Sequence, residues 1–599
     1  MTFQFDMLFL GMIQNKILPS VILSLVAALF SPSAQAQLDW GSAGAGGSGT
    51  WDGSTANWFN GSSAVAWDSA RADFGGTAGN ITVSGTQSAT GIDFVTGGYT
   101  LSGGTINLTG TSTLSGAAVI NSTLQGTGGV TLISGSKTIG GNNVDLDGII
   151  NISGAGTRYS AARIAASNAL GDSSAFDDRV IITAGTQGAA LQLNSGVILP
   201  KYITNVGNAT IETITGNTGL TGNFVPGTGV FIFSLAADTQ LTLSNSAGLG
   251  QSGSSVQATG SGRLVVDAAA GGTAYGLFVR DSAAVQVNSG ATLGSANVFF
   301  DGSNVGNATL ALNGSTVANN VFINAGKSVR VENMAAGSST FSGQLLNNGA
   351  DYAVMLRSTT SGTLNVSGNI NDSTTIGTVA IGNGSFVNSG TVNLSRASGN
   401  TYDGTTTVNS GTLMVSNTTG SATGTGAVSV GSGAKLAGTG IIAGTLSVNG
   451  IVAAGNNSTG TLTVQNAVTW NGATSASAAT DWQFNLGAAN TSDLLNITGG
   501  SGNLLKGTGS VFRFDFQNSL NEGTFVLINW AGTTDFSYTD FSFTNLGAGN
   551  DGTFAMNGSQ LEFTATAAVP EPSALSLLLG GALLLGIFKM RRQSPHPVI

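Results

Sequence analysis

The residues best placed to do chemistry in this 599-residue chain are two acidic pairs. Asp145 and Asp147 lie in Val144-Asp145-Leu146-Asp147-Gly148, and Asp177 with Asp178 stands beside Arg179. Residues two apart on a strand share a face, so Asp145 and Asp147 could present paired carboxylates. Glycoside hydrolysis needs two such groups about 5 to 9.5 Å apart, and an acidic calcium cluster with a nearby basic residue would serve a polysaccharide lyase. No complete calcium loop follows Asp147, and Asp-Gly is also a turn signal. Both pairs, and Asp172 near the second, are therefore expected to be solvated turn or face carboxylates. Other chemistries fall to composition: cysteine is absent and the single histidine is His596. That removes Ser-His-Asp and Cys-His catalysis and the usual zinc and copper sites. The expectation is no catalytic residue, no cofactor and no metal. The enzymatic alternative is a β-helix polysaccharide lyase or glycosidase working with carboxylates, Lys, Arg or Tyr alone.

The elements that would position such residues are short strands. Glycine is 91 of 599 residues, yet hydrophobic residues still make up 41% and charged ones only 8%, which opposes disorder. Eight prolines are too few for a Pro-rich linker. Many strands joined by tight Gly and Asn turns remain. The net charge of -10 comes from sparse, mostly acidic residues. Such a chain offers nucleic acid or anionic lipid no cationic patch, so neither is expected as a partner.

One pattern recurs: Gly, Thr or Ala, an aliphatic residue, a variable residue, an aliphatic residue. Gly104-Thr105-Ile106-Asn107-Leu108, Gly362-Thr363-Leu364-Asn365-Val366 and Gly390-Thr391-Val392-Asn393-Leu394 carry it, as do stretches opening at Gly411, Gly426, Gly444 and Gly460. From 390 the copies start 21, 15, 18 and 16 residues apart. Alternation gives each strand one apolar face, and a period a little under twenty residues is that of a β-solenoid coil.

The segment 390–464 goes further. Asn400-Thr401-Tyr402-Asp403-Gly404-Thr405-Thr406-Thr407-Val408-Asn409-Ser410-Gly411-Thr412-Leu413 resembles the signature of the autotransporter-associated β-strand repeat. Ala453-Ala454-Gly455-Asn456-Asn457-Ser458-Thr459-Gly460-Thr461-Leu462 is similar to an element often found after it, with Ala454 where Pro is usual. The resemblance, specific over 390–464 and weaker elsewhere, implies a right-handed parallel β-helix of passenger type, and the solenoid is expected to run over 81–477. Residues 37–80 hold Trp40, Trp51, Trp58 and Trp67 and are expected to cap the first coil, with sugar stacking as the other use of their indoles. Between about 150 and 360 the pattern thins, and loops or a distorted coil are expected. In 478–568, Phe512, Phe514 and Phe516 alternate, as do Val526, Ile528 and Trp530, which predicts an antiparallel C-terminal β cap.

Both ends carry addresses. Ile17 to Phe30 is an apolar run after Lys16, and Ala34-Gln35-Ala36 is a small-x-small site, so 1–36 reads as a signal peptide cut after Ala36 by way of the Sec machinery. The first eleven residues hold Asp6 and no cation, which favours a start at Met12. At the other end, Val569-Pro570-Glu571-Pro572 precedes an apolar run over 574–588 and the cations Lys589, Arg591 and Arg592. Fifteen residues of helix rise only about 22 Å against a hydrocarbon core of about 30 Å, short for a permanent span. Residues 569–592 resemble the PEP-CTERM sorting signal, which implies an exosortase as partner and a transient or stable membrane anchor. The tail stands where a classical autotransporter carries its β-barrel. The expected protein is thus an exported, non-enzymatic, structural or adhesive solenoid at the envelope or in extracellular matrix, touching polysaccharide or cell-surface glycans.

Overall fold

The computed structural model describes residues 37–567, apart from 247, 250–254, 269–275, 302–306, 325–328, 348–352, 373–376, 456, 479–480, 518–521 and 548. The cleavage site at Ala34 and Ala36, and the sorting signal from Val569 to Arg592, lie outside the described residues. Among those described, no helix is long and apolar enough to cross a membrane. The fold is all-β, a parallel β-solenoid of about 16 turns. It divides into two units, one ending at Ser173 and one beginning at Ser174.

Stacking follows from magnitudes. Burying one aliphatic side chain contributes roughly 1.5–3 kcal/mol, while ordering each residue's backbone costs about 1–2 kcal/mol. A short strand with two apolar residues cannot hold alone. In the first unit Ile92, Leu114, Leu132 and Ile152 lie in register on successive strands, each at most 1% exposed. A second interior column runs Leu101, Ile120, Ile139, Ile164. Where the strand Thr105–Ile120 bends past its neighbour, Gly116 has φ +80° and a Cβ there would overlap the Phe94 carbonyl oxygen. Only glycine meets both demands.

The tryptophans enter this interior. Trp58 packs at 5.0 Å from Trp40, 5.2 Å from Trp51 and 4.4 Å from Trp67, and the cluster continues into Phe74, Phe94 and Tyr99. None is more than 7% exposed, so no indole face is available for stacking a sugar.

In the second unit, the wall Asn217–Leu220, Gln240–Leu243, Arg263–Val266, Ala284–Asn288, Thr309–Asn313, Val329–Asn333 is an uninterrupted parallel ladder. The loops or distortion expected between about 150 and 360 are not found along this wall, whereas the pairing of Ile203–Val206 with Phe224–Thr228 does shift register after Thr204. The in-out alternation persists although the Gly-Thr opener is lost.

The repeat copies divide among faces of the coil. Thr363–Val366, Thr391–Leu394 and Thr412–Val415 stack on one wall, giving Leu364 over Val392 over Leu413. Val428–Val430 and Leu446–Val448 belong to a second wall, and Thr461–Val464 to a third. The spacing of 15 to 21 residues thus mixes steps within a coil with steps between coils. True coil steps vary, from Thr363 under Thr391 to Lys435 under Ile451.

At the C-terminal end the expectation of one antiparallel unit is half right. Phe512–Phe516 pairs in parallel with Trp482–Phe484 and Phe541–Thr544. Gly523–Trp530 pairs antiparallel with Gln560–Ala567, which pairs antiparallel with Asn550–Asn557. A bulge between Val526 and Ile528 leaves Phe525, Leu527 and Ile528 buried and Val526 only half-buried, so the Val526-Ile528-Trp530 alternation breaks at its first member.

Candidate functional site

Asp145 and Asp147 do share an outward face. Between them Leu146 is buried, and the Gly126 N–H and carbonyl pair with the Asp145 carbonyl and the Asp147 N–H. With Asn107, Thr109, Gln125 and Thr127 they line an open groove of about 570 Å³. Asp145 is exposed and Asp147 half-buried. Asp177 and Asp178 lie in a single 3-10 turn, and Arg179 folds back over the Phe176 ring at 4.3 Å while donating to its carbonyl. That arrangement fixes a turn. Among the described residues no group of three or more acidic or histidine side chains is gathered to hold a metal.

A more organised acidic group escaped the sequence reading. Asp39, Asp73 and Asp93 stand in register on three adjacent strands, with Arg71 reaching Asp73 at 3.2 Å and Asp93 at 3.3 Å. Burial pushes the Asp73 carboxyl up to about 6, against the pull of Arg71 and with the push of Asp93. The signal was present: Leu38-Asp39-Trp40, Ala72-Asp73-Phe74 and Ile92-Asp93-Phe94 place Asp outside and an aromatic ring inside each time. Asp73 is only 6% exposed and is paired with Arg71.

A second groove lies on the second unit. Its floor is the outer face of the parallel wall, where Asn217, Gln240, Arg263 and Ala284 form one cross-strand row. Ile198, Gly219 and Thr242 form the next row. Alternation forces Thr218, Leu241 and Leu264 inward and leaves these side chains out. Two hollows result, of about 300 Å³ and 330 Å³, which share Asn217. The first is edged by Asp238, Thr239 and Ser261, the second by Thr221 and Ser244. Gly219 makes the second hollow, because it puts no side chain between Ile198, which is 54% exposed, and Thr242.

The polar groups are held in place. Gln240 donates to the Thr242 hydroxyl at 3.1 Å, and Arg263 donates to the Gln286 side-chain oxygen at 3.0 Å. Thr239 is fixed by its bond to the Ala236 carbonyl at 2.7 Å. Amides, hydroxyls, one carboxylate and one guanidinium beside an apolar ledge suit a ligand dense in hydroxyl groups with small C–H faces. No family model matches the chain, and no curated protein matches it.

Proposed function

We propose that this protein is an exported, non-enzymatic β-solenoid that contacts polysaccharide through the groove spanning Ile198 to Arg263. The observation that carries the reading is the shared hollow around Asn217, where ordered amide and hydroxyl groups lie beside the Ile198 ledge on a rigid wall. Export rests on the sequence: the run before Ala36, and the Pro-Glu-Pro, apolar and Arg-Arg order from Val569 to Arg592, which resembles an exosortase-read sorting signal. A right-handed coil is the corresponding proposal for the solenoid.

Binding of the full chain to an array of extracellular polysaccharides tests the groove, with Gly219→Leu as the comparison. Leucine at 219 fills the hollow, and its Cβ meets only ordinary contacts at 3.6 Å and 3.7 Å, so the wall should still form. Loss of glycan binding in this variant is expected; unchanged binding sinks the assignment. Depolymerisation of any polysaccharide by the wild-type chain would favour the lyase or glycosidase reading. Intact masses of the protein from membrane and medium test removal of the tail.

A further inference from the structure

We infer that Arg263, Arg330 and Arg357 form a site for the carboxylate of an acidic sugar at the downstream end of this groove; the inference rests on the glycan-binding reading of the groove. Sparse cations scattered over an acidic chain would build no such place. The register gathers them instead: Arg263, Ala284, Thr309 and Arg330 succeed one another along one outer row, and Glu332 lies beside Arg357 on the next strand. Small residues at 284 and 309 let the Arg263 side chain lie along the wall, where its Nη1 reaches Gln286 at 3.0 Å and the Met334 sulfur at 3.0 Å.

Among the described residues, one carboxylate answers the three guanidinium groups. Glu332, 4% exposed, accepts from Arg357 Nε at 2.7 Å and pairs with its Nη2 at 2.6 Å, so its charge is committed to Arg357. Arg330 Nε is 4.0 Å from the same oxygen, beyond hydrogen-bond reach. Both Nε and Nη1 of Arg330 are buried without a hydrogen-bond partner among the described residues. The Phe386 ring covers the guanidinium at 3.9 Å. Burial pushes the Arg330 guanidinium below its ordinary value, Glu332 opposes this, and Arg357 and Arg263 add to it as like charges.

A desolvated guanidinium with two donors unpaired among the described residues, two cationic neighbours and one carboxylate 4.0 Å away leaves positive charge for a second anion to answer. The group that does so is a planar oxyanion, since the guanidinium fork matches a carboxylate with two parallel N–H bonds. A sugar carrier is favoured because Asn217 and Gln240 bring amides to the same row as Arg263.

Calorimetric titration of the full chain with a galacturonate oligomer, a neutral galactose oligomer and inorganic sulfate tests this. The expected result is tighter binding of the acidic oligomer than of the neutral one. Arg330→Gln should weaken it about tenfold or more while the neutral oligomer binds as before, and Arg263→Gln should weaken the acidic oligomer more than the neutral one. Among the described residues the Arg263 guanidinium bonds to the side chains of Gln286 and Met334, so R263Q keeps the test open if R330Q fails to fold. Equal affinity for both oligomers, or an unchanged acidic affinity in the two variants, overturns the inference and leaves the groove reading standing. Sulfate binding as tightly as the oligomer shows a free-anion site and overturns the sugar assignment. Binding of neither oligomer overturns both readings.

Discussion

The Asp493 carboxylate accepts the Gly460 backbone N–H at 2.8 Å, joining stretches 33 residues apart. Its other oxygen accepts the Asn485 backbone N–H at 2.8 Å and side-chain amide at 2.9 Å. One buried side chain thus serves three donors where the coil turns from the Gly455 loop into the strand Thr461–Val464. Asp493→Ala leaves the two backbone N–H groups buried and unpaired, so a loss of about 3 kcal/mol is expected. Denaturant unfolding checks it, and a change within error would contradict this role.

The pH dependence of stability follows from Asp493 and Asp73, both pushed up to about 6 chiefly by burial. Between about pH 4 and 6 the folded chain keeps protons that the unfolded chain has released, so their contribution falls as pH rises, by at most about 3 kcal/mol each at neutrality. Asp52, held down at about 2 by bonds from Thr55 and Ser54, acts in the opposite sense but only below about pH 4. Melting temperatures of wild type and Asp73→Asn at pH 4.5 and 7 should show a smaller acid-favouring difference in the variant. An identical difference would remove Asp73 from the account.

Lys137 makes the complementary case. It lies in the interior column between Ala118 and Ala162, and its ammonium donates to the Ile133 and Gly135 carbonyls at the corner between two strands. Burial lowers it to about 8. From about pH 8 to 10.4 the folded chain binds fewer protons than the unfolded one, so stability gains from this residue as pH rises through that window. Lys137→Met should flatten that slope. A slope equal to wild type would show that the lysine does not titrate differently on folding.

How much of this was legible beforehand depends on range. The Gly-Thr-Leu-x-Val strands, their apolar faces and the solenoid class followed from alternation, which is local. Assigning each copy to a wall did not, because a corner can fall after any strand and the coil length varies; Thr412 and Val428 carry the same pattern on different walls. The groove was invisible for the same reason. Asn217, Gln240 and Arg263 are unremarkable until register places them in one row. Asp145 and Asp147 were seen because they are neighbours in sequence, and the Asp39, Asp73 and Asp93 ladder was missed because its members are not.

Glycine positions separate the same way, and two of them give a paired prediction. At Gly116 the backbone is in the left-handed region and a Cβ would collide with a carbonyl of the adjacent coil, while at Gly219 a Cβ finds ordinary contact distances and no positive φ is recorded. Gly116→Ala must therefore either shift the strand carrying Phe94 or open the corner. Because Phe94 stacks on Phe74 at 5.3 Å, that shift would reach the tryptophan cluster. A destabilisation of about 2 kcal/mol or more is expected, with a change in tryptophan emission. Gly219→Ala should stay within about 0.5 kcal/mol of wild type and leave the emission unchanged. Equal effects of the two substitutions on melting temperature would mean that the corner at Gly116 yields without cost, and that the close approach of adjacent coils there is not what requires a glycine.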